Sequence, residues 1–134
     1  MNEMDRAIQD YNTAISLKAD YFEAYNNRGV DYERKGLPYE AVKDFTRALE
    51  LRPDYSRAYN NRGFTYGKLG MFEDAINDFT KSIAANPSYS KAYLNRGYTY
   101  LKTGNKALAA SDFSKACSLG NQSGCEAFKN LSGN

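Results

Sequence analysis

The sequence contains no histidine and no tryptophan, and only two of its 134 residues are cysteines. The lack of histidine excludes histidine-based catalytic triads, imidazole proton shuttles and histidine-ligated metal sites. Two thiols without other clustered ligands are weak evidence for zinc, and no cofactor is expected. No apolar run approaches the length of a membrane span, so we expect a soluble chain without a membrane partner.

The charge balance is nearly even, because 18 lysine and arginine residues face 16 aspartate and glutamate residues. The resulting net charge of +2 does not by itself indicate nucleic-acid binding. The first residues, MNEMDRAIQDY, are polar and lack the apolar segment of a signal peptide. We therefore expect a cytoplasmic protein, or a secreted one if a leader has been removed.

A short phrase recurs at a fixed spacing. AYNNRG occupies Ala24–Gly29 and Ala58–Gly63, and AYLNRG occupies Ala92–Gly97, so the period is 34 residues. A period in this range is typical of stacked supersecondary units. Further positions recur at the same step: Tyr25, Tyr59 and Tyr93; Tyr32, Tyr66 and Tyr100; Gly36, Gly70 and Gly104; Ala41, Ala75 and Ala109; Phe45, Phe79 and Phe113.

Each unit predicts two antiparallel helices. Tyr25, Gly29 and Tyr32 have the spacing of one helical face, and the second half of the unit repeats this periodicity. Gly36 is expected to end the first helix, and Pro38 is suited to the first turn of the second. Small residues would let the two helices approach closely, with aromatic rings filling the gaps. The expected N-caps of the first helices are Asp20, Asp54 and Ser88.

These residues resemble the tetratricopeptide repeat, a helix-turn-helix unit with the pattern aromatic-x2-Leu-Gly-x2-Tyr, then Ala, an aromatic residue and Pro. The resemblance covers about residues 4–131. It implies a single all-α domain over residues 1–134, an α-α superhelix of antiparallel helix pairs with about seven main helices and a short C-terminal cap helix. The implied units are a half repeat at 4–17, full repeats at 22–55, 56–89 and 90–123, and a cap helix at 124–131.

One departure from the family pattern is itself repeated, because arginine occupies the position of the usual leucine. A charge at an apolar position needs a partner, and an aspartate follows each arginine after sixteen residues. We predict ion pairs between the helices of a repeat or between adjacent repeats, with ligand binding by the arginines as the alternative. The predicted structural pairs are Arg28 with Asp44, Arg62 with Asp78, and Arg96 with Asp112.

Asparagines precede each arginine, although asparagine is a poor residue for a helix interior. An amide offers donors and an acceptor, so it can hold an extended peptide backbone without reading its sequence. By resemblance, the first helices line a concave groove. The column Asn27, Asn61 and Asn95 is similar to the asparagine ladder in the repeat region of O-linked N-acetylglucosamine transferases, which holds extended peptides.

The groove positions also carry basic residues, including Arg34, whereas Glu23 and Glu33 lie towards the N-terminal end. This pattern favours a protein or peptide ligand that is acidic or has a free C-terminal carboxylate. The resemblance to carboxylate-clamp repeats is partial, since only Asn61 and Lys91 match among the five clamp positions. The predicted peptide-binding residues are Asn26, Asn27, Asn60, Asn61, Asn95, Arg57, Lys91, Phe64, Tyr98, Lys68 and Lys102.

The two cysteines, Cys117 and Cys125, flank a turn in the phrase ACSLGNQSGC. The phrase resembles Sel1-like repeats of some secreted bacterial proteins, and that resemblance implies a disulfide. The alternative is a small core residue at Cys117 and a free thiol at Cys125. We expect the alternative, because no signal segment is seen.

The leading functional interpretation is a non-catalytic protein–protein interaction scaffold that binds an extended peptide. The alternative is self-assembly, because the half repeat leaves the inner face of its helix uncovered at Ile8, Tyr11 and Ile15. A homo-oligomer or a domain exchange through that helix would cover it. No nucleophile–base pair or phosphate-binding loop indicates an enzyme. Nucleic-acid binding is weakly supported by Phe64 and Tyr98 among basic residues.

Overall fold

The computed structural model describes residues 2–18 and 20–133. In this part of the chain the secondary structure consists of eight α-helices, without strands, which confirms the all-α class. The helices are α1 (Glu3–Leu17), α2 (Phe22–Arg34), α3 (Pro38–Leu51), α4 (Ser56–Lys68), α5 (Phe72–Ala85), α6 (Ser90–Lys102), α7 (Lys106–Ser118) and α8 (Gln122–Ser132).

Successive helices pack antiparallel, and the resulting pairs stack into an α-α superhelix. The closest packing lies within the pairs α2–α3, α4–α5 and α6–α7. The first helices also contact one another, α2 with α4 and α4 with α6, whereas no comparable contact joins consecutive second helices among the described residues. The first helices therefore line the inner, concave side of the stack.

The turn between the two helices of each repeat depends on glycine. Gly36, Gly70 and Gly104 have φ angles of 85°, 78° and 85°, a left-handed conformation that other residues rarely adopt. The backbone N–H of the residue after each glycine closes the turn with a hydrogen bond; for example, Leu37 N–H donates to the carbonyl of Tyr32 at 2.8 Å. Pro38 is the first residue of α3, as predicted.

The predicted N-caps of the first helices are wrong. Tyrosine occupies the cap position of α2, α4 and α6, and none of the three caps makes a side-chain cap hydrogen bond. The tyrosine contributes packing instead. The Tyr55 ring meets Phe22 edge to face at a centroid distance of 5.3 Å, so at α4 an aromatic contact with the start of α2 takes the place of a polar cap.

Glycine and phenylalanine set the distance between the helices of each repeat. Gly63 faces Phe79, whose side chain is only 1% exposed, and a Cβ atom at Gly63 would lie 2.9 Å from a ring carbon. Gly29 and Gly97 face Phe45 and Phe113 in the same way. The regular spacing of these residues along the chain therefore reflects one close contact made three times.

The recurring arginine forms a bidentate ion pair within its own repeat. Arg62 donates from Nε and Nη2 to the carboxylate of Asp78 at 2.7 and 2.8 Å. Its Nη1 donates to Thr46 Oγ1 in the preceding repeat at 3.1 Å. The guanidinium thus joins three helices, α3, α4 and α5. Arg28 pairs with Asp44 and Arg96 with Asp112 in the same geometry.

Two tyrosines flank each guanidinium. The rings of Tyr59 and Tyr66 each lie 5.8 Å from the Arg62 guanidinium carbon, within the range of cation–π attraction. Hydrogen bonds to Asp78 raise the pKa of Arg62, which keeps the guanidinium charged. Alanine, tyrosine, arginine and glycine of the repeated phrase are therefore all explained by packing and pairing between helices.

The two cysteines form a disulfide that joins α7 to α8, so the expectation of free thiols is wrong. A tight turn at Gly120, with a φ of 93°, folds α8 back against α7. Gly124 lies so close to Ala116 that an added Cβ would be 2.7 Å from the alanine Cβ. This close packing brings the Cα atoms of Cys117 and Cys125 to 4.5 Å, a separation at which a disulfide can form.

None of the described helices has both the length and the apolar composition needed to cross a membrane.

We predict that Arg62→Ala lowers the free energy of unfolding by about 3 kcal/mol, because it leaves the carboxylate of Asp78 buried without its partner. The Asp78 side chain is only 4% exposed. Chemical denaturation would measure the loss. Arg47→Ala is the control, since Arg47 pairs with Glu50 at 3.5 Å on an exposed surface and should cost about 0.5 kcal/mol or less. Equal losses in the two variants would contradict the structural role assigned to the buried pair.

Candidate functional site

The concave side presents three columns of side chains, one residue from each first helix. The central column is apolar and consists of Val30, Phe64 and Tyr98; the two rings are each 44% exposed. An asparagine column runs beside it, and a column of basic residues lies one turn further along. The asparagine column is Asn27, Asn61 and Asn95, and the basic column is Arg34, Lys68 and Lys102.

Asparagines of successive repeats are hydrogen-bonded to one another. Asn61 Nδ2 donates to Asn26 Oδ1 at 3.1 Å, and Asn95 Nδ2 donates to Asn60 Oδ1 at 3.1 Å. Asn26 and Asn60 are only 1% and 3% exposed. Their side chains serve as acceptors between the repeats, and of the two only Asn60 also lines a cleft of the groove, so ligand contact by this pair stays a prediction.

Tyrosine hydroxyls adjoin the buried side of this asparagine ladder, which consists of the hydrogen bonds from Asn61 to Asn26 and from Asn95 to Asn60. Asn26 Nδ2 lies 3.5 Å from the hydroxyl of Tyr55, the N-cap residue of α4. Burial raises the pKa of Tyr55 and also that of Tyr89, the corresponding residue one repeat later. Both hydroxyls therefore stay protonated at neutral pH and can serve as hydrogen-bond donors.

The groove-facing asparagines have fixed orientations. Asn61 and Asn95 are half-buried, and each uses its Nδ2 in the ladder, while neither Oδ1 accepts a hydrogen bond from any residue that the structure describes. Asn27 is exposed and takes no part in the ladder. The ladder ends at Leu94, which stands at the position of Asn26 and Asn60 but has no acceptor.

Two clefts adjoin one another along the groove and share Phe64 and Asn95. The first has a volume of about 270 Å³ and a largely polar lining that includes Arg34, Asn61 and Lys91. The second has a volume of about 180 Å³ and is mostly apolar. Most of the predicted peptide-binding residues line one of these clefts: Asn60, Asn61, Asn95, Phe64, Tyr98, Lys68, Lys91 and Lys102.

The predicted cations differ in their availability to a ligand. Lys68 forms an ion pair with Glu33 of the preceding repeat, and its ammonium lies 5.3 Å from the Phe64 ring centroid. Lys91 and Lys102 form no ion pair with the described residues and line the first and second clefts. Arg57 lies apart from the groove, in a cleft of about 480 Å³ formed with Tyr89 at the turns between repeats.

Gly67 and Phe72 line the second cleft although sequence reasoning did not select them. Gly67 stands at the position that Glu33 and Leu101 occupy in the other repeats. This departure from the repeat pattern is the sequence feature that could have indicated the cleft. Phe72 belongs to a second helix, α5, whereas the predicted groove residues all lie on the first helices. Within the described ranges, no group of acidic or cysteine side chains is arranged to hold a metal ion.

A stack of paired helices whose inner side carries polar and aromatic side chains is the architecture of a repeat scaffold for protein–protein interaction. Models of the tetratricopeptide repeat match residues 22–55, 56–89 and 79–110, and a further TPR repeat model matches residues 1–36. The chain belongs to the tetratricopeptide repeat family, whose members are generally non-catalytic interaction scaffolds. The likeness of the cysteine phrase to Sel1-like repeats stays a prediction.

Solved structures share the fold. The crystal structure of MamA is similar with a TM-score of 0.82 at 21% identity, covering 96% of this chain and 86% of that one. The Arabidopsis OM64 TPR domain has a TM-score of 0.78 at 28% identity, covering 84% and 95%. The first TPR of Spaghetti (RPAP3), bound to the HSP90 peptide SRMEEVD, has a TM-score of 0.79 at 24% identity, covering 84% and 90%. No curated protein matches the sequence.

Two neighbouring asparagines provide a matched test of the ladder. We expect Asn26→Ala to lower the free energy of unfolding by roughly 1 to 3 kcal/mol, because it removes the acceptor of Asn61 in a buried site. Asn27→Ala should change it by about 0.5 kcal/mol or less, since that side chain is exposed. Urea titrations of the two variants measure the difference. Equal stabilities would show that the ladder contributes nothing to the fold.

Proposed function

We propose that this scaffold binds an extended, acidic segment of a partner protein in its concave groove. The observation that carries the proposal is the arrangement of Asn61 and Asn95, which have oriented amides and line the same clefts as the unpaired Lys91 and Lys102. The ladder supports this role, because side chains that are already ordered lose little freedom when a ligand binds.

An extended peptide suits the spacing of these groups. Such a peptide has backbone N–H groups that are not used internally, and an asparagine Oδ1 can accept from one of them. Asn61 and Asn95 would supply acceptors from successive repeats, and the exposed Asn27 would supply a third amide. This contact depends on the peptide backbone, so the asparagines provide affinity and leave specificity to other positions.

The basic residues determine which peptide charge is favoured. Lys91 lies in the polar cleft near Arg34, and Lys102 lies one repeat further along. An acidic side chain or a C-terminal carboxylate would complement either ammonium. The peptide SRMEEVD in the RPAP3 structure has this acidic character. Because only Asn61 and Lys91 match the carboxylate-clamp pattern, we propose acidic peptides in general as ligands of this groove.

A random-peptide display selection followed by fluorescence anisotropy tests the proposal. We expect enrichment of acidic peptides and an affinity loss of about tenfold or more in the double variant Lys91→Ala/Lys102→Ala, through loss of charge-assisted contacts. Amidated and free-acid versions of the selected peptides distinguish side-chain from C-terminal carboxylates.

The matched control is Lys43→Ala/Lys115→Ala, which removes the same charge from exposed positions on the second helices α3 and α7. Its affinity should equal that of the unaltered protein. Selection of peptides without acidic enrichment, or an equal loss in both double variants, would contradict binding in the groove.

A second proposal is self-assembly through α1. The face of α1 carries Ala7, Tyr11 and Ala14, which correspond to residues buried beneath a first helix in the later repeats. Here these side chains are only half-buried, and Asp10 is exposed where the other repeats have a buried aspartate. The expectation that Ile8 is uncovered is wrong, since this residue is buried. A helix with an Arg-Gly pair would complement this face. In the chain itself the Arg-Gly faces of α2, α4 and α6 are already covered by α3, α5 and α7, so the occupant we propose is the α1 face of a second copy, packed symmetrically against this one.

Sedimentation velocity over a roughly hundredfold concentration range tests self-assembly, because association depends on protomer concentration. We expect the mass to rise with concentration and Tyr11→Asp to remain monomeric. Gln9→Asp adds the same charge on the opposite side of α1 and should assemble normally. A monomeric mass at every concentration would contradict self-assembly through α1.

A further inference from the structure

Gly67 is a helix-interior glycine without a packing requirement. A Cβ atom at this position would find nothing nearer than the Ala75 Cβ at 4.0 Å, and its φ is not positive. Four residues earlier, by contrast, a Cβ at Gly63 would lie 2.9 Å from the Phe79 ring. Glycine destabilises a helix interior relative to alanine. The fold therefore gains nothing from glycine at position 67.

Gly67 leaves one cleft of the groove without the side chain that the other repeats place there. The corresponding residues of the other repeats, Glu33 and Leu101, each project a side chain into the equivalent cleft. The cleft at Gly67, of about 180 Å³, is smaller than these two, but no side chain of this column enters it and its walls are aromatic rings. An apolar cavity of about 150 Å³ is enough to hold benzene. The rings that form the walls are Phe64, Phe72, Phe79 and Tyr98.

Gly67 also leaves a cation without a partner. Lys68 forms an ion pair with Glu33, which lies thirty-five residues before it. The residue thirty-five before Lys102 is Gly67, so the equivalent acidic partner is missing. Lys102 accordingly forms no ion pair with the residues that the structure describes, and it lines the same aromatic cleft. One glycine thus combines an apolar cavity with a free ammonium group.

We propose that this cleft is a specificity subsite for one aromatic or large aliphatic side chain of the partner peptide, with a neighbouring ligand carboxylate held by Lys102. The assignment rests on the proposed peptide-binding function and deepens it. The occupant is a segment of an acidic partner, because the cleft continues directly into the cleft that contains Lys91 and Asn61. Ring contact would cover Phe64 and Tyr98, which are each 44% exposed.

The test uses 3-phenylpropionate, which carries a ring and a carboxylate, and follows its titration by two-dimensional NMR of the amide groups. We expect saturable shift changes centred on Gly67, Tyr98 and Lys102. The neutral amide of the same compound should bind severalfold more weakly, because it lacks the charge that Lys102 attracts. Absence of saturable shifts at these residues would overturn the subsite.

Two blocking variants use residues that the chain itself places at this position in other repeats. Gly67→Leu fills the cavity, and Gly67→Glu also supplies Lys102 with an ion-pair partner. Both should abolish the shifts while the helical content is unchanged. Gly67→Ala should raise Tm by about 3 °C, since it removes the helix-interior glycine and meets no neighbour. A lowered Tm, or unchanged fragment binding in the blocking variants, would contradict the inference.

The fragment experiment separates this inference from the proposed function. A protein that binds the fragment but selects no peptide would retain the subsite and refute peptide binding. A protein that binds selected acidic peptides equally well with and without Gly67→Leu would retain the groove and refute the subsite.

Discussion

In each repeat a guanidinium lies between three helices, held by a carboxylate from its own repeat and a hydroxyl or amide from the preceding one. The geometry of Arg62 with Asp78 is bidentate, so it fixes both the distance and the rotation of α4 against α5. The flanking tyrosines cover the charge on both sides. Because removal of either charged partner would leave the other buried, the pair specifies the register in which the helices must pack.

That register determines what the concave side presents. With α2, α4 and α6 aligned, Asn26 and Asn60 point between repeats, and the residues that follow them, Asn27 and Asn61, lie on the groove side, as does Asn95 in α6. The buried acceptors Asn26 and Asn60 hold the amides of Asn61 and Asn95, so structural and exposed asparagines have different roles despite adjacent positions. The same alignment brings Glu33 to Lys68 and leaves Lys102 beside the aromatic cleft. Groove chemistry is therefore a consequence of how the repeats are stacked.

The features that could be predicted from the sequence are those whose pattern recurs in every repeat. The period of 34 residues predicts the helix pairs, and the Arg-to-Asp spacing of sixteen residues predicts which side chains meet. Sequence reasoning failed where the outcome depended on side-chain direction. One helical step of about 100° separates Asn26 from Asn27, and periodicity alone did not tell which of them is buried. The disulfide, the tyrosine caps and the cleft at Gly67 depend on local approach distances, which composition and spacing do not contain.

The central claim is that the concave side, and no other surface, receives the ligand. Intermolecular nuclear Overhauser effects between an isotope-labelled protein and a display-selected acidic peptide test it most directly. The account predicts contacts from the peptide to the ring protons of Phe64 and Tyr98. It predicts none to Tyr39, an equally identifiable ring that is 66% exposed on α3. Contacts from the peptide to Tyr39, without contacts to Phe64 and Tyr98, would contradict binding on the concave side.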